Sequence, residues 1–148
     1  IYVFQSGTVN VGASALSSTI AALRTYKDFE KQGKYTLLNS KAIMLKKGLI
    51  DIFNESNIPC QINQVGSMLQ MFISHNKIDF FKPEKKYNKI IELFYLALIN
   101  NNIILSLPTS NHIYLSFMHT NKDIKKILSV SKYVLNHYKF DNLNLNKN

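Results

Sequence analysis

The chain has 148 residues, a formal charge of +9 and one cysteine, Cys60. That length suits one domain with a real core, and a lone cysteine excludes an intrachain disulfide and a cysteine-based metal site. The basic charge does not make a nucleic-acid binder, because Arg24 is the sole arginine and readers of phosphates and base edges favour arginine forks.

The lysines are scattered along the chain, with Lys46-Lys47 and Lys85-Lys86-Lys89 close together. Abundant Lys, Asn and Ile fit an AT-rich gene better than a nucleic-acid partner. A reducing, cytoplasmic setting agrees with the single thiol. The longest apolar region, Ile90 to Leu107, is broken by Glu92 and by Asn100-Asn101-Asn102, so no membrane span is expected. The chain opens inside an apolar run, Ile1-Tyr2-Val3, which reads as a cut end, and no targeting peptide is visible.

Phe4-Gln5-Ser6-Gly7-Thr8 then turns through a glycine and offers a hydroxyl just before a small-residue helix. Glycine lets a ligand approach the backbone, and a helix start presents unpaired N–H groups, a place suited to phosphate. A strand-to-helix turn that binds nothing reads the same way. From Gly12 to Gln32 the pattern is helical, with Leu16, Ile20 and Leu23 on one side among several alanines that allow close packing. Gly33 stops or bends that helix.

A second helix is expected over Tyr35–Asn54, with Leu38, Ala42, Leu45, Leu49 and Ile52 as its core stripe and Lys41, Lys46 and Lys47 directed elsewhere. Asn57 and Pro59 close it. Cys60–Val65 and Met68–Ile73 read as strands around a Gly66-Ser67 turn, the second buried on both faces. His75–Lys86, broken by Pro83, reads as a surface loop or a cover over a cleft. A third helix covers Tyr87–Ile99 and ends at the three asparagines. Ile103–Leu107 and Ile113–Met118 are predicted strands. Thr120-Asn121-Lys122-Asp123 is a capping box that starts a last helix, with Ile124, Ile127, Leu128, Leu135 and Tyr138 facing inward. Residues from Asp141 form a polar tail expected to be disordered. The order of strands and helices makes an α+β module, a mostly antiparallel sheet covered by helices on one side.

Four stretches resemble, in order, segments of the glutamate-1-semialdehyde 2,1-aminomutases, relatives of the class-III pyridoxal-phosphate aminotransferases. Phe4–Thr8 with its following helix resembles "YQAGT…NPLAMAAG", and Val65–Phe72 resembles "VGSMFxxFF". Ile103–Pro108 resembles "GVYLAPS", and Ser116–Thr120 with Asp123-Ile124 resembles "SxAHTxxDI". The resemblance spans residues 2–138 and fits the C-terminal part of such an enzyme. It implies the small C-terminal domain of a fold-type-I enzyme over residues 35–140. Residues 1–34 then form the end of the large cofactor-binding domain and the connecting helix, and 141–148 the tail.

The resemblance further implies pyridoxal 5'-phosphate as cofactor, a small amino-aldehyde substrate, a homodimer, and formation of 5-aminolevulinate for tetrapyrrole (porphyrin) biosynthesis. In the family the lysine that carries the cofactor lies upstream of the "YQAGT" segment, so no catalytic residue is expected here and this stretch alone is expected to be inactive. Gly7 and Thr8 match the pair that reaches the cofactor phosphate of the other subunit. Asn111 falls where the family carries a glutamate, and Gly12-Ala13 where it carries Asn-Pro. His119 matches the "HT" pair, with a structural role indicated by its place before a helix cap. His75, His112 and His137 lack metal-ligand spacing. Another class-III aminotransferase and a decayed, non-catalytic module remain the alternatives.

Overall fold

A computed structural model describes residues 13–74, 77–78, 89–105, 112–138 and 140. The chain divides into two compact units, Ile1–Thr36 and Leu37–Asn148. In the first, helix α1 (Ala13–Lys31) shows its apolar stripe to solvent, with Leu16, Ile20 and Leu23 at 53%, 50% and 55% exposure. Its hydroxyls turn back on the helix: Thr19 donates to the Ala15 carbonyl and Thr25 to that of Ala21. Gly33 ends it at φ +66°, its N–H bound to the Glu30 carbonyl, a conformation glycine adopts without penalty.

Helix α2 (Lys34–Glu55) carries the predicted stripe into the core of the second unit: Leu38, Ala42, Leu45, Leu49 and Ile52 are all buried, together with Phe53. Asn57 then takes φ +56°, while the Asn57 and Ile58 N–H groups bind the Asn54 and Phe53 carbonyls. These are the two bonds of a Schellman ending, and Phe53 and Ile58 are both buried in the core. The chain is thereby aimed into β1.

Strands β1 (Cys60–Val65) and β2 (Met68–Ile73) form an antiparallel hairpin, with Val65 opposite Met68 and Ile62 opposite Met71. Strand β3 (His112–Tyr114) adds antiparallel to β2, placing Ile113 opposite Leu69, and the order is β1-β2-β3. Helix α3 (Lys89–Asn100) packs on β2 and on α4 (Asn121–His137). One sheet face, carrying Ile62, Leu69, Met71 and Ile113, shares a single core with the helices. Phe53 of α2 meets Phe94 of α3 edge-to-face, ring centres 4.9 Å apart, a favoured aromatic geometry. The result is an α+β unit with an antiparallel sheet covered by helices on one side.

Four local expectations are corrected. β2 is buried on one face only: Leu69 and Met71 are enclosed, whereas Met68 is half exposed. Ile103–Leu105 is not a strand. The Asn102 and Ile103 N–H groups are committed to Ile99 and Leu98 of α3, with Asn102 at φ +63°, so the chain stays tied to the helix end instead of joining the sheet. Residues 106–107 of that expected strand lie outside the described ones. β3 is three residues long, because residues 116–119 form a turn after Leu115 has bound the Ser67 carbonyl. Tyr138 is the C-cap of α4 and not part of its inner face, its phenol oxygen accepting from the Asn100 and Asn101 amides.

Candidate functional site

Gly7 and Thr8, the sequence-predicted phosphate contacts, lie outside the described residues, as do Asn111, the 75–76 pair and the 79–88 stretch. Two of the places where described polar side chains gather in the second unit lie beside the sheet. One is the joint between β3 and α4; the other is the outer face of the sheet.

At the joint, Thr120 is the N-cap of α4. Its hydroxyl accepts from the Asp123 N–H, and the Asp123 carboxylate accepts from the Thr120 N–H at 2.7 Å, completing the predicted capping box. The Thr120 hydroxyl also lies 2.7 Å from that carboxylate. These bonds, the Thr120 hydroxyl's first, hold the Asp123 carboxyl below its ordinary value, with His119 and Lys122 adding smaller electrostatic contributions.

One residue earlier, the His119 ring turns back on the chain. Its Nδ1 accepts the Ser116 N–H at 3.0 Å, with the Ser116 hydroxyl at the same distance. The His119 carbonyl accepts from the Lys41 ammonium of α2 at 2.7 Å. Lys41 is therefore half-buried and bound, not directed away from the fold as its helical position suggested. His119 serves the joint, in keeping with the structural role read from its place before the cap.

On the outer sheet face, Gln61 and Asn63 project side by side from β1. The Gln61 amide accepts from the Ile78 N–H and donates to the Ile78 carbonyl, to which Asn63 also donates. Two carboxamides thus satisfy the backbone of one residue as a neighbouring strand would. Further along the face, His112 stacks on Tyr114 with ring centres 5.8 Å apart. A shallow groove of about 240 Å³ runs there between Asn63, Val65, Met68, Gln70 and the two rings. Nothing in helical or strand periodicity marks Gln61 and Asn63 as a clasp. The only available signal was their alternation with Ile62 on a strand whose other face is core.

Cofactor-holding chemistry is sparse among the described residues. None of their lysines is buried, and the most enclosed cationic group at the joint is committed to the His119 carbonyl. Among them no group of three His, Cys, Asp or Glu side chains is placed to hold a metal ion. Burial pushes the Cys60 thiol up to about 12, which disfavours the thiolate a nucleophile needs. Burial, with Cys60 nearby, also raises the Tyr95 phenol. The described part presents no cradle for a phosphorylated cofactor. Among the described residues no helix is long and apolar enough to cross a membrane.

No protein-family model matches the chain. It is 32% identical over 131 residues to a glutamate-1-semialdehyde 2,1-aminomutase of Caldicellulosiruptor saccharolyticus, covering 88% of this chain and 30% of that protein. It is 29% identical over 128 residues to glutamate-1-semialdehyde 2,1-aminomutase 1 of Macrococcus caseolyticus, with 86% of this chain and 29% of that one covered. Among solved structures it is similar to an omega-transaminase from Sphaerobacter thermophilus, with a TM-score of 0.59 and 14% identity over 70% of this chain and 24% of the other. That likeness establishes the fold as one found in a transaminase. The resemblance to aminomutases carried by the four motifs is thus borne out along nearly the whole chain, which spans about 30% of the length of the curated relatives it matches.

Proposed function

We propose that this chain is the C-terminal part of a pyridoxal-phosphate-dependent glutamate-1-semialdehyde 2,1-aminomutase, which moves an amino group within its substrate to give 5-aminolevulinate for tetrapyrrole synthesis. The observation that carries the reading is the 32% identity extending over 131 residues, through four motifs in the family's order. The last of those motifs has a physical basis here, because its Thr and Asp are the two halves of the α4 capping box. In the assembled enzyme the bound cofactor supplies the electron sink for amino-group chemistry. Among the described residues of the second unit, the Lys41–His119–Ser116 and Gln61–Asn63 clusters are engaged with the unit's own backbone.

Within this reading, Gly7 and Thr8 contact the cofactor phosphate of the other subunit of a cytoplasmic homodimer. A helix start suits a dianion, since both N–H groups and the helix dipole favour negative charge.

The test uses the longer gene product encoded around this stretch. Amino exchange and 5-aminolevulinate formation should proceed with no added keto-acid acceptor. Strict dependence on such an acceptor would favour a class-III aminotransferase that works between two substrates. A product without either activity would favour a non-catalytic module, the reading that Asn111 in place of the family's glutamate supports.

A further inference from the structure

The joint between β3 and α4 is built on one nitrogen. His119 Nδ1 accepts the Ser116 N–H at 3.0 Å, and a ring nitrogen that accepts an N–H carries no proton of its own. The ring is therefore neutral, with its proton on Nε2. The Ser116 hydroxyl, 3.0 Å from the same Nδ1, can only donate to it in this state. The backbone on either side is held independently: the His119 N–H binds the Ser116 carbonyl, its carbonyl takes the Lys41 ammonium, and Thr120 begins the capping box.

We propose that the neutral His119 ring is an acid-released latch on the turn joining β3 to α4. When a solvent proton adds to Nδ1, the nitrogen becomes a donor and the Ser116 N–H loses its acceptor. The new N–H turns to the Ser116 hydroxyl oxygen, so the ring exchanges a backbone partner for a side-chain one. Charged groups on both neighbouring elements bear on this step. From α2, the Lys41 ammonium already sits on the His119 carbonyl and opposes a second positive charge. From α4, the positive end of the helix opposes it as well, Lys122 adds to that opposition, and the Asp123 carboxylate favours it. Protonation at Nδ1 therefore opens the latch. The capping box outlasts it, because the Asp123 carboxyl is held below the usual carboxylate range. Acid thus loosens the turn while leaving the start of α4 in place. This device is independent of the enzymatic reading, since every group in it belongs to the second unit.

The test is heteronuclear NMR of the 15N-labelled 148-residue chain between pH 8 and pH 5. At pH 8 the His119 ring should show a bare Nδ1 and a protonated Nε2. On acidification the Ser116 amide should shift with the same midpoint as the His119 ring. Its exchange, corrected for the intrinsic pH dependence, should rise about fivefold, the change one backbone hydrogen bond of ordinary net strength gives. In His119→Asn an amide oxygen replaces Nδ1 as a non-titrating acceptor, and the Ser116 midpoint should vanish. A protonated Nδ1 at pH 8 would overturn the proposal. So would a Ser116 amide that ignores the His119 titration, or one that keeps its midpoint in His119→Asn. Should that variant fail to fold, co-titration of ring and amide in the parent chain decides the matter alone.

Discussion

Gly48 lies in the middle of α2, where glycine costs about 0.8–1.0 kcal/mol relative to alanine. On propensity alone, Gly48→Ala should stabilise the protein by about that much. The packing reverses the sign. A Cβ at this position meets the two Leu128 methyl carbons at 2.6 and 2.7 Å and its Cγ at 3.2 Å, so α4 has seated a leucine in the space the glycine leaves. Leu128 is half-buried and packed against the core, and forcing an extra carbon into such a contact costs about 1–3 kcal/mol. The net expectation is a loss of about 0–2 kcal/mol. Leu128→Ala removes all three opposing atoms, and in that background Gly48→Ala should be stabilising by about 1 kcal/mol. The two substitutions therefore couple by about 1–3 kcal/mol in a double-mutant cycle, measured by urea unfolding followed by circular dichroism. An equal gain from Gly48→Ala in both backgrounds would refute the α2–α4 contact as described.

Thr120→Ala should destabilise the second unit by about 1 kcal/mol through loss of the cap. Because the Asp123 carboxyl is lowered in the fold, its stabilising effect is present above the unfolded carboxylate value and lost as pH falls through the folded one; an acid titration of helicity should lose this step in Asp123→Asn. Cys60, pushed up to about 12, should carry on the order of one thiolate in ten thousand at pH 8, so disulfide reagents should label it far faster in urea than in the native state. Native labelling at the rate of an unfolded thiol would contradict its partial burial and raised thiol.

Elements whose register is fixed by a repeating stripe were legible in the sequence. The α2 stripe from Leu38 to Ile52 is core at every position, and the hairpin from Cys60 to Ile73 falls where its Gly66-Ser67 turn puts it. The α4 start was legible because a capping box is a local chemical signature, with Thr120 and Asp123 three residues apart. What stayed hidden depends on contacts distant in sequence. Ile103–Leu105 has strand composition, yet the Asn102 conformation gives its first N–H to α3. Lys41 has the helical position of a solvent-facing lysine, but its partner stands 78 residues away. Gln61 and Asn63 were unreadable for the same reason, since their partner Ile78 lies at least fifteen residues on. Of the predicted site, Gly7 and Thr8 lie outside the described residues, and their role rests on the family resemblance.

Folding of the second unit and the proposed cofactor contact draw on different residues, and this separation can be tested. The core cluster begins at Leu38 and the second unit at Leu37, whereas Thr8 belongs to the first unit. In the full-length enzyme of the proposed reading, Thr8→Val keeps the side-chain shape and removes the hydroxyl. A hydrogen bond to a charged group contributes about 1.5–3 kcal/mol, and about 1.4 kcal/mol is a factor of ten, so pyridoxal-phosphate affinity should weaken about tenfold or more. If the contact crosses the subunit interface, the dimer of the variant should depend more steeply on cofactor concentration, since a ligand bound between subunits stabilises their association by mass action. The urea midpoint of the second unit should not move. Phe53→Ala is the converse control: it deletes a fully buried ring that packs on Phe94 and should cost about 3–5 kcal/mol of stability. Parent-like cofactor affinity in Thr8→Val, measured by titration at equal dimer concentration, would remove Thr8 from the site and leave Gly7-Thr8 an ordinary turn.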